Sequence, residues 1–235
     1  MEYRTKIIIT GNKVEVYKNK VGIRIGSKRN KKKRKKRKPQ EGPKKLNEFA
    51  IYRCRREIKW RINSNPEMNK FLTLTFAENR TDLKSCNKEL KAFIRKLKVL
   101  KDNIKYIAVP EFQKRGAVHY HILINLDYID QNKIAQIWGH GFIRVNSIDA
   151  HTNIGMYVVK YIGKDMSDER YFNNKKYFCS RNLAKPTILH SPNILDIKSK
   201  CPNFNFLFQK VFQSYYGSIK YELFEVDNKE KDMIE

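Results

Sequence analysis

The hydrophobic pattern alternates between strand and helix periods through the middle of the chain. Runs of β-branched and aromatic residues favour strands, and apolar residues at helical spacing favour helices. The predicted strands cover residues 71–76, 105–112, 117–125 and 142–145, and the predicted helices cover residues 85–100 and 131–138. This β-α-β-β-α-β order predicts an α+β, ferredoxin-like fold, with a central, mainly antiparallel sheet and its flanking helices on one side.

The patterns outside this middle region are weaker. Residues 46–63 are predicted to form a basic helix that ends before Asn65-Pro66, and short strands are predicted at residues 5–9, 13–17 and 21–25. We expect these N-terminal strands to pack at the edge of the central sheet. Towards the C-terminus, the pattern allows one more strand within residues 171–180 and predicts irregular structure at 182–202. The aromatic residues of 204–221 are interpreted as a packed cover for the sheet, and residues 222–235 as a frayed acidic tail.

A tight hairpin carries the first candidate chemistry. Its polar loop, residues 114–116, ends in a glycine at the position that needs a left-handed backbone. A three-residue loop pairs Glu111 with His119, and residues that are paired or two apart share a face. Glu111, His119 and His121, here called the candidate metal triad, are therefore predicted on one side of the sheet. Two imidazoles and a carboxylate suit a catalytic divalent cation, Mn²⁺ or Mg²⁺.

This prediction depends on the length of the loop. A loop of four residues would place Glu111 on the opposite face of the sheet, away from the two histidines. The alternative interpretation is that the histidines are partly exposed strand residues with no relation to Glu111. Tyr120, between them, faces away from the predicted site.

A helix predicted at residues 152–163 carries the second candidate chemistry. Tyr157 and Tyr161 lie one turn apart on the same face, with Lys160 beside them. Such a stripe usually packs in a core, and that alternative stays open for the helix alone. Beside a cation that holds a phosphate, however, a tyrosine nucleophile and a nearby lysine make up a phosphoryl-transfer site.

These motifs together resemble the HUH endonuclease superfamily, and within it the rolling-circle replication initiators of small phages, plasmids and single-stranded DNA viruses. The threonine-containing strand at 71–76, the His119-Tyr120-His121 strand and the tyrosine helix follow the order of the family. Two tyrosines four apart resemble the two-tyrosine phage initiators, and the segments 138–142 and 177–181 are similar to the phage replication-associated branch. The resemblance covers residues 65–186.

The resemblance implies a metal site on the central sheet and a site-specific enzyme that nicks and rejoins single-stranded DNA at a replication origin. Mg²⁺ or Mn²⁺ bound by the candidate metal triad would hold the scissile phosphate. A tyrosine would attack it, giving a 5′-phosphotyrosine link and a free 3′-OH. Tyr157 would attack in one round and Tyr161 in the other, in an order that stays open, while Lys160 would steady the phosphate.

The sequence is accordingly divided into five segments. They are an N-terminal β-hairpin region (1–26), a basic arm (27–45), a basic helix (46–66), the HUH endonuclease domain (67–186) and an aromatic C-terminal extension with an acidic tail (187–235).

The charge of the chain points to nucleic acid as the partner. The formal net charge is +26, and residues 28–38 alone carry ten lysines and arginines. A block of like charge repels itself, so the arm is expected to be disordered without DNA and to bind phosphates. The candidate DNA contacts are Arg29, Lys31, Lys32, Lys33, Arg34, Lys35, Lys36, Arg37 and Lys38 in the arm, with Lys114 and Arg115 in the hairpin loop.

Other features set the context of this function. The sequence has no apolar run of membrane-spanning length, no signal peptide and no Cys-x-x-Cys pair, which predicts a cytoplasmic protein with reduced thiols. A phosphate-binding loop of the G-x-x-x-x-G-K-[ST] type is absent, so a host helicase and a host polymerase are expected partners. Two alternatives remain open: a single-tyrosine transposase of the same superfamily, and a basic DNA-binding protein without chemistry.

Overall fold

The computed structural model describes residues 2–24, 48–148, 169–171, 174–190, 203–214 and 217–227. The contacts divide the chain into two compact units. Residues 43–184 form the central unit, and residues 1–42 join residues 185–235 in the terminal unit.

The described elements are named in chain order. They are β1 (Glu2–Thr10), β2 (Lys13–Arg24), α1 (Glu48–Asn63), β3 (Lys70–Thr75), α2 (Leu83–Leu100), β4 (Tyr106–Phe112), β5 (Val118–Ile124), α3 (Gln131–Trp138), β6 (Ile143–Ser147), a one-turn 3₁₀ helix (Glu169–Tyr171), β7 (Phe178–Cys179), β8 (Thr187–His190), β9 (Asn205–Ser214) and β10 (Gly217–Glu225).

The central unit contains a five-stranded sheet in the order β6-β3-β5-β4-β7. Every pair of neighbours is antiparallel, so β3 and β4 run parallel to each other with β5 between them. This is the split β-α-β arrangement of a ferredoxin-like fold, and the predicted α+β class is confirmed. The short strand β7 lies within the 171–180 segment where an additional strand was predicted, and it pairs with β4.

The helices of the central unit cover both faces of the sheet, which corrects the expectation that they lie on one side. On one face, α2 and α3 pack through residues such as Leu90, Phe93 and Trp138 onto the largest core. On the other face, α1 packs Ile58 and Ile62 against Phe71 of β3 and the neighbouring strands. The spacing of the apolar residues in α1 predicts an amphipathic helix, but not which face of the sheet receives it.

Local side-chain chemistry sets the ends of α2 and α3. The carboxylate of Asp82 accepts hydrogen bonds from the backbone N–H groups of Lys84 and Ser85, and that of Asp130 does the same at the start of α3. Helix α3 ends at Gly139, which has a φ of 67°. A glycine adopts this left-handed conformation without steric hindrance from a Cβ.

The terminal unit contains a second five-stranded sheet, in the order β8-β1-β2-β10-β9, with all neighbours antiparallel. One face of this sheet packs a small core that includes Ile7, Val14, Val16 and Phe224. The sheet thus joins strands from both ends of the chain.

Several expectations for the chain ends were wrong. Strands β1 and β2 do not extend the central sheet; β8 and β10 are their neighbours in the second sheet. Residues 187–190 form β8 where irregular structure was expected, and residues 222–225 belong to β10 rather than to a frayed tail. In β9, Phe206, Phe208 and Phe212 are exposed and do not form a packed cover.

No helix within the described ranges is long and apolar enough to cross a membrane.

Candidate metal centre

The loop between β4 and β5 has the odd length that the sequence-based argument required. The Gln113 N–H donates to the Ala117 carbonyl at 2.8 Å, and the Gly116 N–H donates to the Gln113 carbonyl at 2.8 Å. Gly116 has a φ of 88°, which a residue with a Cβ rarely adopts. This turn pairs Glu111 with His119. The predicted register is confirmed, and Glu111 lies on the same face as the two histidines.

Strand β3 supports the site from the other side of β5. It pairs Thr73 with His121, and the Thr73 Oγ1 atom lies 3.3 Å from His121 Nδ1. The Phe71 ring stacks on the His121 ring, with a centroid separation of 5.6 Å and an interplanar angle of 13°. With a proton on Nδ1, the threonine oxygen accepts a hydrogen bond and the lone pair of Nε2 is left for a ligand. A partner on the distal ring nitrogen fixes the orientation of a metal-binding imidazole.

Thr73 was not among the predicted site residues. The signal was present, because alternation along β3 places Thr73 on the face of Phe71 and opposite the histidines. A single strand does not reveal which strand becomes its neighbour, so the contact with His121 could not be derived from the pattern.

The candidate metal triad is brought to one face but is not closed into a cluster. The carboxylate Oε2 of Glu111 contacts His121 Nε2. The Nε2 atom of His119 is buried and has no hydrogen-bond partner among the described residues. The described ranges contain no group of three or more His, Cys, Asp or Glu side chains assembled to hold a metal ion.

The donor set nevertheless fits a divalent cation. Buried polar atoms almost always have a hydrogen-bond partner, so the isolated His119 Nε2 is an atom that a ligand would satisfy. Glu111 and His121 together offer an oxygen and a second imidazole nitrogen on the same face. Two imidazoles and one carboxylate form a set that leaves other coordination positions open for water or phosphate oxygens.

The electrostatic surroundings favour the neutral form of His119. Burial lowers the pKa of His119, and the neighbouring His121 lowers it further, while Glu111 acts in the opposite direction. A neutral imidazole is the form that binds metals, because protonation removes the lone pair.

Tyr120, between the two histidines, belongs to the opposite face of β5 as expected. It is fully buried, and its hydroxyl donates to the Asn87 Oδ1 atom of α2 at 2.7 Å. This partner explains how a polar aromatic residue is accommodated where an aliphatic residue would otherwise pack. Tyr120 therefore anchors the histidine strand to α2.

The hairpin loop presents its two cations beside the site. Lys114 and Arg115 are both exposed, and the Arg115 guanidinium donates to the Gln113 side-chain oxygen at 2.9 Å. A third cation, Arg170, stacks its guanidinium on the Phe112 ring at 3.8 Å from the centroid. Arg170 was missed from the sequence because it comes from a segment distant along the chain.

A glycine-rich turn holds the end of β3 next to His119. The Thr75 N–H donates to the Phe142 carbonyl at 2.9 Å, and the Ala77 N–H donates to the His140 carbonyl at 2.8 Å. The His140 Nε2 atom lies 3.0 Å from Glu89 of α2. These contacts give His140 a structural role in this turn.

Some of the predicted site residues lie outside the described residues. Tyr157, Lys160 and Tyr161 are in this group, as are all nine candidate DNA contacts of the basic arm. Their roles stay predictions.

Comparison with known proteins agrees with the class of protein to which the motifs point. Residues 69–166 match the model of a family of replication-associated proteins, the ORF2 family. This range contains the candidate metal triad and both tyrosines. The Phasyl DNA replicon protein arp of Escherichia coli is 30% identical over 169 residues, which are 59% of this chain and 59% of that protein. No solved structure matches the chain.

These similarities support a replication protein. The chain spans about three fifths of the length of the replicon protein that it matches. Membership of the HUH superfamily stays a prediction from the motifs.

Proposed function

We propose that this protein is a replication initiator that nicks and rejoins single-stranded DNA at an origin. The observation that carries the proposal is the hairpin register, which puts Glu111, His119 and His121 on one face of β4 and β5. The similarity to replication-associated proteins over residues 69–166 supports the same conclusion independently.

The candidate metal triad is proposed to hold Mg²⁺ or Mn²⁺. A bound cation would polarise the scissile phosphate and favour the phenolate form of an attacking tyrosine. The protein's own contribution is to present a neutral His119, to orient His121 through Thr73 and Phe71, and to hold Glu111 against His121.

The reaction is proposed to be a transesterification. The hydroxyl of Tyr157 or Tyr161 loses its proton, and its oxygen bonds to phosphorus as the bond from phosphorus to the 3′ oxygen breaks. The 3′ oxygen takes up a proton, so the products are a 5′-phosphotyrosine link and a free 3′-OH. Because the phosphodiester energy is kept in the link, attack by a 3′-OH restores the DNA strand, and the second tyrosine allows transfer after one round. Lys160 is proposed to offset the charge of the phosphate.

The proposed partners follow from this chemistry and from the charge. A host polymerase extends the 3′-OH, and a separate helicase opens the duplex. The basic arm at residues 28–38 and the loop residues Lys114 and Arg115 contact the DNA backbone, an interaction that weakens steeply with salt.

The test is formation of a covalent protein–DNA adduct. A pool of labelled single-stranded DNA, including the origin strand of the replicon that encodes the protein, is incubated with Mn²⁺ and wild-type protein. The same reaction is run with Tyr157→Phe, Tyr161→Phe, the double variant and Glu111→Gln, and the linked peptide is identified by mass spectrometry. Tyr128→Phe is the matched control, since Tyr128 is an exposed tyrosine of the central unit.

We expect an adduct with the wild type and with Tyr128→Phe. The double tyrosine variant should give none, and neither should the wild type in EDTA. Tight DNA binding without any adduct would contradict the proposal and leave a basic DNA-binding protein. An adduct that depends on one tyrosine through both cleavage and rejoining would indicate the single-tyrosine transposase class.

A further inference from the structure

An exposed face of the terminal sheet carries aromatic and basic residues in one continuous pattern. Register partners in neighbouring strands share a face, as do residues two apart along a strand. Lys6 of β1 pairs with Tyr17 of β2, Tyr17 pairs with Tyr221 of β10, and Tyr221 pairs with Lys210 of β9. A row of two lysines and two tyrosines therefore crosses four strands on one side of the sheet.

Two phenylalanines extend this row along the edge strand β9. Phe208 and Phe212 lie two residues before and after Lys210, so all three share the face of Tyr221. The rings of Phe208 and Phe212 are each centred 6.3 Å from the Tyr221 ring, and Tyr17 is centred 5.1 Å from it. We call Lys6, Tyr17, Phe208, Lys210, Phe212 and Tyr221 the basic-aromatic face.

The outer rings of this face are open to solvent. Phe208 is 48% exposed and Phe212 is 42% exposed. The opposite side of the sheet packs the small core around Val14 and Val16. A sheet with one side in a core and exposed aromatic rings on the other has surface that its own fold does not use.

The charges on this face suit an anionic chain. The Lys210 ammonium lies 5.3 Å from the centre of the Phe212 ring, so a cation stands between two exposed aromatic rings. The acidic residues nearby are buried or paired. Glu222 lies on the other side of β10 and is bonded to Lys18 and Lys220, each at 2.8 Å. Glu15 is 2% exposed and accepts a hydrogen bond from the Tyr17 hydroxyl.

We propose that the basic-aromatic face binds single-stranded DNA, with bases stacked on Phe208 and Phe212 and a phosphate held at Lys210. Aromatic side chains on a sheet offer stacking surfaces to unpaired bases of any sequence, and lysines follow the backbone. The choice of DNA as the partner rests on the proposed function. In that function, the face holds the displaced strand at a second site, built entirely from the terminal unit.

A second copy of the chain is the competing occupant, because β9 is an edge strand with exposed apolar residues. The net charge of +26 opposes association of two copies. Lys210 between the two phenylalanines also places a charge at the centre of the surface that a dimer would bury. DNA gains from both features.

The test compares two double variants of the full-length protein. Phe208→Ala/Phe212→Ala removes the two rings from the basic-aromatic face. Leu207→Ala/Val211→Ala is the matched control, because these residues are 45% and 56% exposed on the opposite face of the same strand. Both variants remove apolar side chains from the same edge strand, so general damage to the sheet affects both.

Binding is measured by fluorescence anisotropy in EDTA with two probes of equal length, an oligothymidylate and an abasic oligomer. Salt at about 0.3 M reduces the contribution of the basic arm, since phosphate contacts weaken with salt. We expect the wild type to prefer the oligothymidylate. The phenylalanine variant should bind it about tenfold or more weakly and lose most of the preference, as expected on loss of base stacking. The control variant should stay within about twofold of the wild type.

Equal binding by wild type and the phenylalanine variant would overturn the proposal, as would an equal loss in both variants. A wild-type dimer in sedimentation that the phenylalanine variant converts to a monomer, with DNA binding unchanged, would assign the face to a second copy instead. The covalent adduct assay, run at saturating DNA, reports separately on the nicking reaction. Loss of base preference without any wild-type adduct would keep this face and reject the nickase, whereas a normal adduct with unchanged binding would do the reverse.

Discussion

Gly141 is the position where a single methyl group should disturb the candidate metal centre most clearly. A Cβ at this position would lie 2.5 Å from Ala77 N, 2.6 Å from Thr75 O and 2.9 Å from the Phe76 carbonyl carbon. All three are backbone atoms at the end of β3, and Thr75 pairs with His119. The methyl group cannot be accommodated by rotation of a side chain, so the end of β3 has to move.

The expected loss of stability has two parts. Gly141 has a φ of 149°, and a residue with a Cβ in such a region is destabilised by about 1–3 kcal/mol. Overlap with packed atoms adds about 1–3 kcal/mol. We therefore expect Gly141→Ala to lower the free energy of unfolding of the central unit by about 3 kcal/mol.

Gly139→Ala is the matched control from the same turn. Gly139 has a φ of 67°, but an added Cβ would meet only the Gln136 carbonyl at 3.6 Å, an ordinary contact. The left-handed conformation alone should lower the stability by about 1 kcal/mol. The two variants thus separate steric overlap from backbone preference.

The assay is guanidinium unfolding followed by tryptophan fluorescence. The two tryptophans of the chain, Trp60 and Trp138, both lie in the central unit, so the signal reports on that unit. Equal losses for Gly141→Ala and Gly139→Ala would refute the reasoning. A loss for Gly141→Ala below about 0.5 kcal/mol, within the range of ordinary surface substitutions, would refute it as well.

Three further predictions concern the central unit. Asn65→Ala should lower the stability by about 3 kcal/mol, because the buried Asn65 side chain donates to the Ala184 carbonyl at 3.1 Å and accepts from its N–H at 2.9 Å; guanidinium unfolding measures the loss. Burial raises the pKa of Cys54 and of Cys86 to about 11, so both thiols should alkylate slowly at pH 8 in the folded protein, as resolved by mass spectrometry. Because the folded state keeps these protons where the unfolded chain loses them, the same two groups lower the stability as the pH rises above 9.0. Thr73→Val should weaken Mn²⁺ binding, measured by calorimetry, by about 10- to 100-fold, because it removes the partner of His121 Nδ1.

Each of these has a control. Asn69→Ala removes an exposed asparagine from the same connection and should leave the stability within about 0.5 kcal/mol of the wild type. The cysteines should alkylate rapidly in concentrated guanidinium, and equal rates in the folded and unfolded protein would contradict their burial. Thr73→Ser keeps the hydroxyl and should restore Mn²⁺ binding. Equal weakening by valine and serine would show that the hydroxyl does not position His121.

The sequence by itself determined the core arrangement of the candidate metal centre. The strands and helices of the β-α-β-β-α-β segment follow from hydrophobic periods that span only a few residues. The register of Glu111 with His119 follows from the three-residue loop that Gly116 makes possible, because a tight turn fixes which residues face each other. Both signals are local, so no knowledge of distant contacts was needed.

Only the tertiary structure decided which distant segments meet. Helix α1 covers the face of the sheet that carries the candidate metal triad, Thr73 meets His121 across two strands, and Arg170 stacks beside the hairpin. Strands β1 and β2 pair with β8 and β10, although the whole central unit separates them in the sequence, and the rings of β9 are left exposed. Periodicity states which face of an element is apolar, but many partners can cover an apolar face equally well. The choice among them depends on the packing of the complete chain.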